Sequence, residues 1–272
     1  NSTSTTRIFQ GIAPFSAKMS INDQQKTLRV ESDLKPVAIK APLPLSKESG
    51  QSIPLSIFGD FSQKDRFMFD LKYNNTLDSK WDLGKSLDHG IEINRAALYY
   101  RQSVPATLPQ SGLKLRARID NFAPSSWYDL FKRASSSSNA NILNPPWPLD
   151  AQIQTTKLSI AGQHFHDAKL GLRYKDNKGR LSINSSDTNG SISWLHNADK
   201  KAQITAGFKD MHLSKNKSAG ISSWSYSALL PYFETVHFNI DKLYFNGQFL
   251  GGFSGQGVQE DKVLHFAPLT LS

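Results

Sequence analysis

The residues whose types could do chemistry are few. His164 and His166 stand two apart, a spacing that places both imidazoles on one face of a strand and suits a metal ion. Asp167 would point to the opposite face and no third ligand is evident, so the pattern predicts no metal centre. Asp65, Asp70, Asp78 and Asp82 could supply paired acids for glycoside cleavage. Acids on strand faces and in turns are far more often solvated than catalytic. Gly252-Phe253-Ser254-Gly255-Gln256 approaches the G-x-S-x-G nucleophile elbow, but Gln256 replaces its last glycine. Gly251, Gly252, Gly255 and Gly257 open no helix, so they mark a bulge or a close backbone approach rather than a dinucleotide site. Phosphate-loop and H-E-x-x-H motifs are missing, and the chain has no cysteine. The expectation is a protein without turnover that needs no metal, nucleotide or other cofactor.

Composition supports a different kind of role. With 272 residues, 38% hydrophobic and 20% charged, and a mean hydropathy of −0.44, the chain reads as folded and soluble. It is long enough for one large domain or two smaller ones. No stretch approaches the ~18 apolar residues of a membrane helix. The opening Asn1-Ser2-Thr3-Ser4-Thr5-Thr6 has no initiator Met and no apolar core. The chain is therefore expected to be excised from something longer, with any signal or anchor outside it. The net charge of +9 predicts a surface attractive to anions such as nucleic acid, lipid headgroups or acidic glycans. Adjacent basic pairs occur only at Lys132-Arg133 and Lys200-Lys201, and Lys114, Arg116 and Arg118 alternate along one strand face. Without a longer basic run this is a solvated, mildly basic surface, and no nucleic-acid partner is expected.

The elements that must carry any site are strands. Phe67, Phe69, Leu71 and Tyr73 alternate with Met68, Asp70 and Lys72, and Leu170, Leu172 and Tyr174 alternate with Lys169, Gly171 and Arg173. The same period of two runs through Ile204–Phe208 and Val236–Ile240, with shorter runs at Leu28–Val30, Ile91–Ile93, Leu113–Ala117, Ile192–Trp194 and Leu243–Phe245. Turn signals separate them at Asn22-Asp23, Asn74-Asn75, Asp176–Gly179, Asp187–Gly190 and Asn197–Asp199. About 15 to 18 strands follow, joined mostly as antiparallel neighbours, which makes the chain all-β. One helix is expected at Pro124–Arg133, where Trp127, Leu130 and Phe131 form an apolar stripe.

A Ser/Asn-rich stretch follows that helix and suggests a first β segment over 1–134, a flexible loop over 135–146 and a second β segment over 147–272. Within the last, Lys157-Leu158-Ser159-Ile160-Ala161-Gly162-Gln163 recurs as Lys242-Leu243-Tyr244-Phe245-Asn246-Gly247-Gln248. A strand–turn–strand unit is thus used twice. Apolar strand faces of this kind ordinarily build a sandwich or barrel core. The alternative is a sheet that curls around a groove whose apolar lining meets acyl chains.

Several motifs in order carry a resemblance. Leu28-Arg29-Val30-Glu31-Ser32-Asp33-Leu34, then Ala41-Pro42-Leu43-Pro44-Leu45-Ser46-Lys47 and Ile53-Pro54-Leu55, resemble a segment of the YhdP-type branch of AsmA-like proteins. Ile119-Asp120-Asn121-Phe122 through Trp127, Trp147-Pro148-Leu149-Asp150, and Gly190-Ser191-Ile192-Ser193-Trp194 are similar to its later elements, as is Lys242-Leu243 with Gly247 and Gly251. Ser46 stands where glycine is usual, and Lys40 where an apolar residue is commoner. The resemblance implies a long, curled antiparallel sheet (a β-taco) with an apolar groove that carries phospholipid between inner and outer membranes. It further implies a periplasmic location, within a longer protein anchored in the inner membrane. At ~4.8 Å per strand, roughly 16 strands would extend about 75 Å. The apolar residues that alternate with polar neighbours are then the expected lipid-groove lining: Phe67, Phe69, Leu71, Leu170, Leu172, Ile192, Ile204, Phe208, Val236, Phe238 and Phe245. The competing expectation is a structural or adhesive envelope domain with a closed core.

Overall fold

Alternating sequence becomes strand almost throughout. The structure, a computed structural model, describes residues 8–86, 90–134, 147–197, 201–215, 233–260 and 263–272. In the first part lie β1 (Phe9–Gln10), β2 (Ser16–Ile21), β3 (Lys26–Ser32), β4 (Ala38–Ile39), β5 (Leu55–Gln63), β6 (Arg66–Tyr73), β7 (Leu77–Ser86), β8 (Gly90–Tyr100) and β9 (Gly112–Phe122). The helix α1 (Pro124–Ala134) follows, within one residue of its expected end. Then come β10 (Leu149–Ile160), β11 (Gln163–Lys175), β12 (Lys178–Asn184), β13 (Thr188–His196), β14 (Ala202–Leu213), β15 (Phe233–Phe245), β16 (Gln248–Glu260) and β17 (Val263–Leu271). The expected linker, 135–146, lies outside the described residues, as do Ala198 and Asp199 of one expected turn.

The strand order is sequential, β17 to β5 and then β3 and β2, with β1 and β4 forming a separate ribbon. Chain neighbours pair because short turns connect them. Asn74 and Asn75, Asp176 and Asn177, Ala161 and Gly162, and Asn246 and Gly247 each put two successive residues at positive φ. That is the backbone of the tight hairpin turn whose twist matches the strands it joins. The last two pairs are the centres of the internal repeat, so the repeat is one hairpin used twice. Leu243–Phe245 is not a separate strand but the end of the strand that holds Val236–Ile240.

Two pairings depart from the antiparallel expectation: β8 with β9 and β14 with β15 run parallel, so the sheet is mixed. A parallel neighbour requires the chain to cross back, typically over a dozen or so residues. Between β8 and β9 that crossover is the segment 101–111. It is fastened by the Ala106 amide donating to Asp78 Oδ2 at 2.9 Å, by Arg95 Nη1 donating to the Pro109 carbonyl at 3.1 Å, and by a 3.2 Å contact between the Tyr99 hydroxyl and Thr107 Oγ1.

The chain divides into two compact units, Asn1–Ile119 with Asp129–Ser138, and Asp120–Tyr128 with Asn139–Ser272. In the first, Val37, Ile39 and Tyr73 form a buried cluster with Leu34, Ala41, Leu45, Leu55, Leu71 and Leu77 around it. Lys47 is only 3% exposed there. Its ammonium donates to the carbonyls of Val37 at 2.6 Å, Glu48 at 3.1 Å and Lys35 at 3.4 Å. A buried ammonium must find acceptors; this one ties the 35–48 segment together. In the second unit, Leu158, Phe165 and Ala168 form a buried cluster with Phe122, Ile160, Leu170 and Ile183.

Candidate functional site

Cross-strand register turns the period of two into continuous rows, because directly opposed residues share a face. In the second unit one row runs Ala151, Leu172, Leu181, Ile192, Ala206, Phe238, Gly255, Leu269. Two residues along, a parallel row runs Ile153, Leu170, Ile183, Gly190, Phe208, Ile240, Phe253, Leu271. On the other side of the first lies Leu149, Tyr174, Gly179, Trp194, Ile204, Val236, Gly257, Phe266. The opposite face is polar: Gln152, Gly171, Ser182, Ser191, Gly207, Asn239, Ser254, Thr270. The segregation holds along these four rows across eight strands, and Leu195 and Val258 are apolar exceptions on the polar face.

The first unit repeats the pattern. Its rows are Ala17, Val30, Ile57, Leu71, Ser79, Leu98, Leu115 and Met19, Leu28, Gly59, Phe69, Trp81, Ala96, Leu113. Phe67 pairs with Leu83, and Phe61 meets both Phe67 and Phe69 at centroid distances of 5.8 and 5.3 Å.

Among the described residues these apolar rows are mostly half-buried rather than buried. Leu172, Leu181, Ile192, Ile204, Ala206, Phe208, Val236, Phe238 and Ile240 are all half-buried, and Phe266, Leu269 and Leu271 at the last strand are exposed. Among the described residues only fifteen apolar side chains are buried, seven of them alanines, too few to fill the space between two packed sheets. The only other described sheet is the two-residue β1–β4 ribbon. Fully burying a Leu, Ile or Phe stabilises by about 1.5–3 kcal/mol, and half-buried rows leave part of that unrealised. Large exposed apolar patches commonly mark interaction or ligand-binding surfaces.

The expected lining residues fall as follows. Leu172, Ile192, Ile204, Phe208, Val236 and Phe238 occupy the three rows of the second unit, and Leu170 lies in them beside the Leu158 cluster. Phe67 and Phe69 are half-buried in the first unit, whereas Leu71 packs against the Val37 cluster. Phe245 sits at the end of β15, opposite Leu213 and Gln248 and 42% exposed. Sequence reasoning omitted Leu181, Ile183, Ile240 and Trp81, which complete the rows. Leu181 and Ile183 carried the signal, since they alternate with Arg180, Ser182 and Asn184.

The residues with chemical potential are engaged in structure. Asp82 is 1% exposed in its side chain and holds Arg66 Nε at 2.8 Å and Arg95 Nε at 2.7 Å. The Arg66 hydrogen bond chiefly keeps its carboxyl far below the ordinary range, against the opposing effect of burial and with help from Arg95 and Asn94. Asp70 accepts from Lys80 Nζ at 2.6 Å, and Asp78 fastens the 101–111 crossover. His164 Nδ1 lies 3.0 Å from Ser159 Oγ and His166 Nδ1 2.9 Å from Asp187 Oδ2. Among the described residues no three His, Cys, Asp or Glu side chains gather as a metal site. His196 is 5% exposed, and burial lowers its imidazole pKa from the ordinary value against the opposing effect of the Asn177 backbone. Lys114 lies on the polar face, its ammonium 5.6 Å from the centre of the Tyr99 ring.

No helix among the described residues is long and apolar enough to cross a membrane. No curated protein and no solved structure matches the chain. The model of one protein family, described as YhdP protein, matches residues 2–272.

Proposed function

Since the chain belongs to the YhdP family, we propose that it is a periplasmic segment of a bridge-like lipid transfer protein, whose apolar sheet face carries phospholipid acyl chains between inner and outer membranes. The observation that carries this reading is the set of half-buried apolar rows spanning β10 to β17, backed by a polar face. An acyl chain laid along such a face exchanges water for apolar contact, and each methylene buried contributes about 0.8 kcal/mol. Phospholipid headgroups stay outside the rows, where the chain's net charge of +9 favours their phosphates. Such a face needs neither turnover nor a metal, and a non-enzymatic conduit is part of the proposal.

A photo-crosslinking amino acid placed at Leu172 or Phe69 tests this in cells. Phospholipid adducts are expected at both positions, and none at Ser182, which faces the polar side in register with Gly171 and Ser191. Protein adducts alone at both apolar positions would instead favour the closed-core envelope domain.

A further inference from the structure

Glycine weakens a strand interior, so a glycine kept there without an unusual backbone needs another reason. Gly179 and Gly255 stand in the apolar rows at ordinary φ, and each faces an aromatic side chain on the neighbouring strand. A Cβ at Gly179 would lie 1.9 Å from the Trp194 ring, whose atoms are its three nearest neighbours. At Gly255 it would lie 2.6 Å from Leu269 Cδ2 and 2.9 Å from Phe238 Cζ, so its nearest neighbours are again side-chain atoms. The rings therefore occupy the space directly above the glycine backbone. Gly207, in the polar row, has nothing within 4 Å of the same position.

We infer that Gly179 and Gly255 set the headroom of the apolar face, by letting Trp194 and Phe238 lie down against the sheet so that acyl chains pass over flat rings. The inference rests on the lipid reading above and assigns to two glycines the role of positioning residues. An alanine at 179 would force the Trp194 ring from 1.9 Å to at least ordinary contact, a retreat of about 1.5 Å on van der Waals grounds. The sheet blocks retreat in one direction, so the ring rises into the space an acyl chain needs. Displacing one or two methylenes of bound chain weakens retention roughly four- to fifteen-fold.

The test uses the 272-residue chain with phosphatidylethanolamine labelled with pyrene on one acyl chain, presented in phosphatidylethanolamine–phosphatidylglycerol vesicles. Gly179→Ala and Gly255→Ala are compared with Gly207→Ala for lipid retained after vesicle removal, and circular dichroism and melting check the fold. Both apolar-face variants are expected to retain several-fold less probe than Gly207→Ala. Adding Trp194→Leu to Gly179→Ala should restore retention, because the smaller side chain needs no rise. Should Gly179→Ala fail to fold, Gly255→Ala, whose new methyl has side-chain ends as its nearest neighbours, decides the matter. Equal retention in folded Gly255→Ala and Gly207→Ala would overturn this inference alone. No retention by the unaltered chain would overturn the lipid reading and this inference with it.

Discussion

Leu172→Asp is expected to leave the chain folded and to abolish most of its capacity for lipid. Leu172 lies between Ala151 and Leu181 in the central apolar row and is half-buried, so an aspartate there keeps enough water to remain tolerable in the empty protein. Bound acyl chains would remove that water, and an unpaired carboxylate strongly resists desolvation. Retention of phospholipid should fall roughly tenfold or more, equivalent to at least about 1.4 kcal/mol. Phe238→Asp, in the same row, should behave alike. Ser182→Asp puts the same charge on the polar face of the neighbouring strand and should change retention little. Lipid extraction and circular dichroism of the three variants check this. Unfolding of both apolar-face variants would mark a closed core instead.

Asp82→Asn carries the largest expected cost to the fold itself. The carboxylate is 1% exposed and is paired with both Arg66 and Arg95. Breaking a buried charge cluster typically costs several kcal/mol because its partners lose compensation. Arg66 and Arg95 are 41% and 30% exposed in their side chains, so water can recover part of that, and a loss of about 3 kcal/mol is expected. The sign with pH is fixed by the depressed carboxyl. Its stabilisation is present above the unfolded value of 3.8 and is lost as pH falls towards the folded value. Urea titrations at neutral pH should show the full difference between the two proteins, and titrations near about pH 2.5 a smaller one. Equal stability at neutral pH would contradict the assignment of Asp82 as the organising charge of β6, β7 and β8.

The all-β class was legible because alternation is local. Phe67 to Tyr73 and Leu170 to Tyr174 state their own faces, and paired Asn or Asp-Asn residues state their own turns. Pairing direction was not legible, since nothing within β14 reveals that its next neighbour arrives from the same end. The strand β7 was obscured for another reason. Its Ser79 and Asp82 are buried, which reverses the usual meaning of polar residues, and the partners that permit this lie on β6 and β8. Gly179 and Gly255 could be read as sites of close approach or not read at all, because the ring each accommodates belongs to another strand. Lys47, part of the motif that carried the family resemblance, gave no hint of burial; its carbonyl partners meet only after the 35–48 segment folds back. The apolar rows themselves were foreseeable residue by residue. Whether they close into a core depended on what stands opposite, which no strand records in its own sequence.

The central claim is that the half-buried rows are a lipid surface, and native mass spectrometry of the purified chain reads it most directly. The account predicts adducts whose masses match phospholipids, released on activation and absent from Leu172→Asp but present in Ser182→Asp. A folded chain that carries no lipid mass after expression and after incubation with phospholipid vesicles would contradict it.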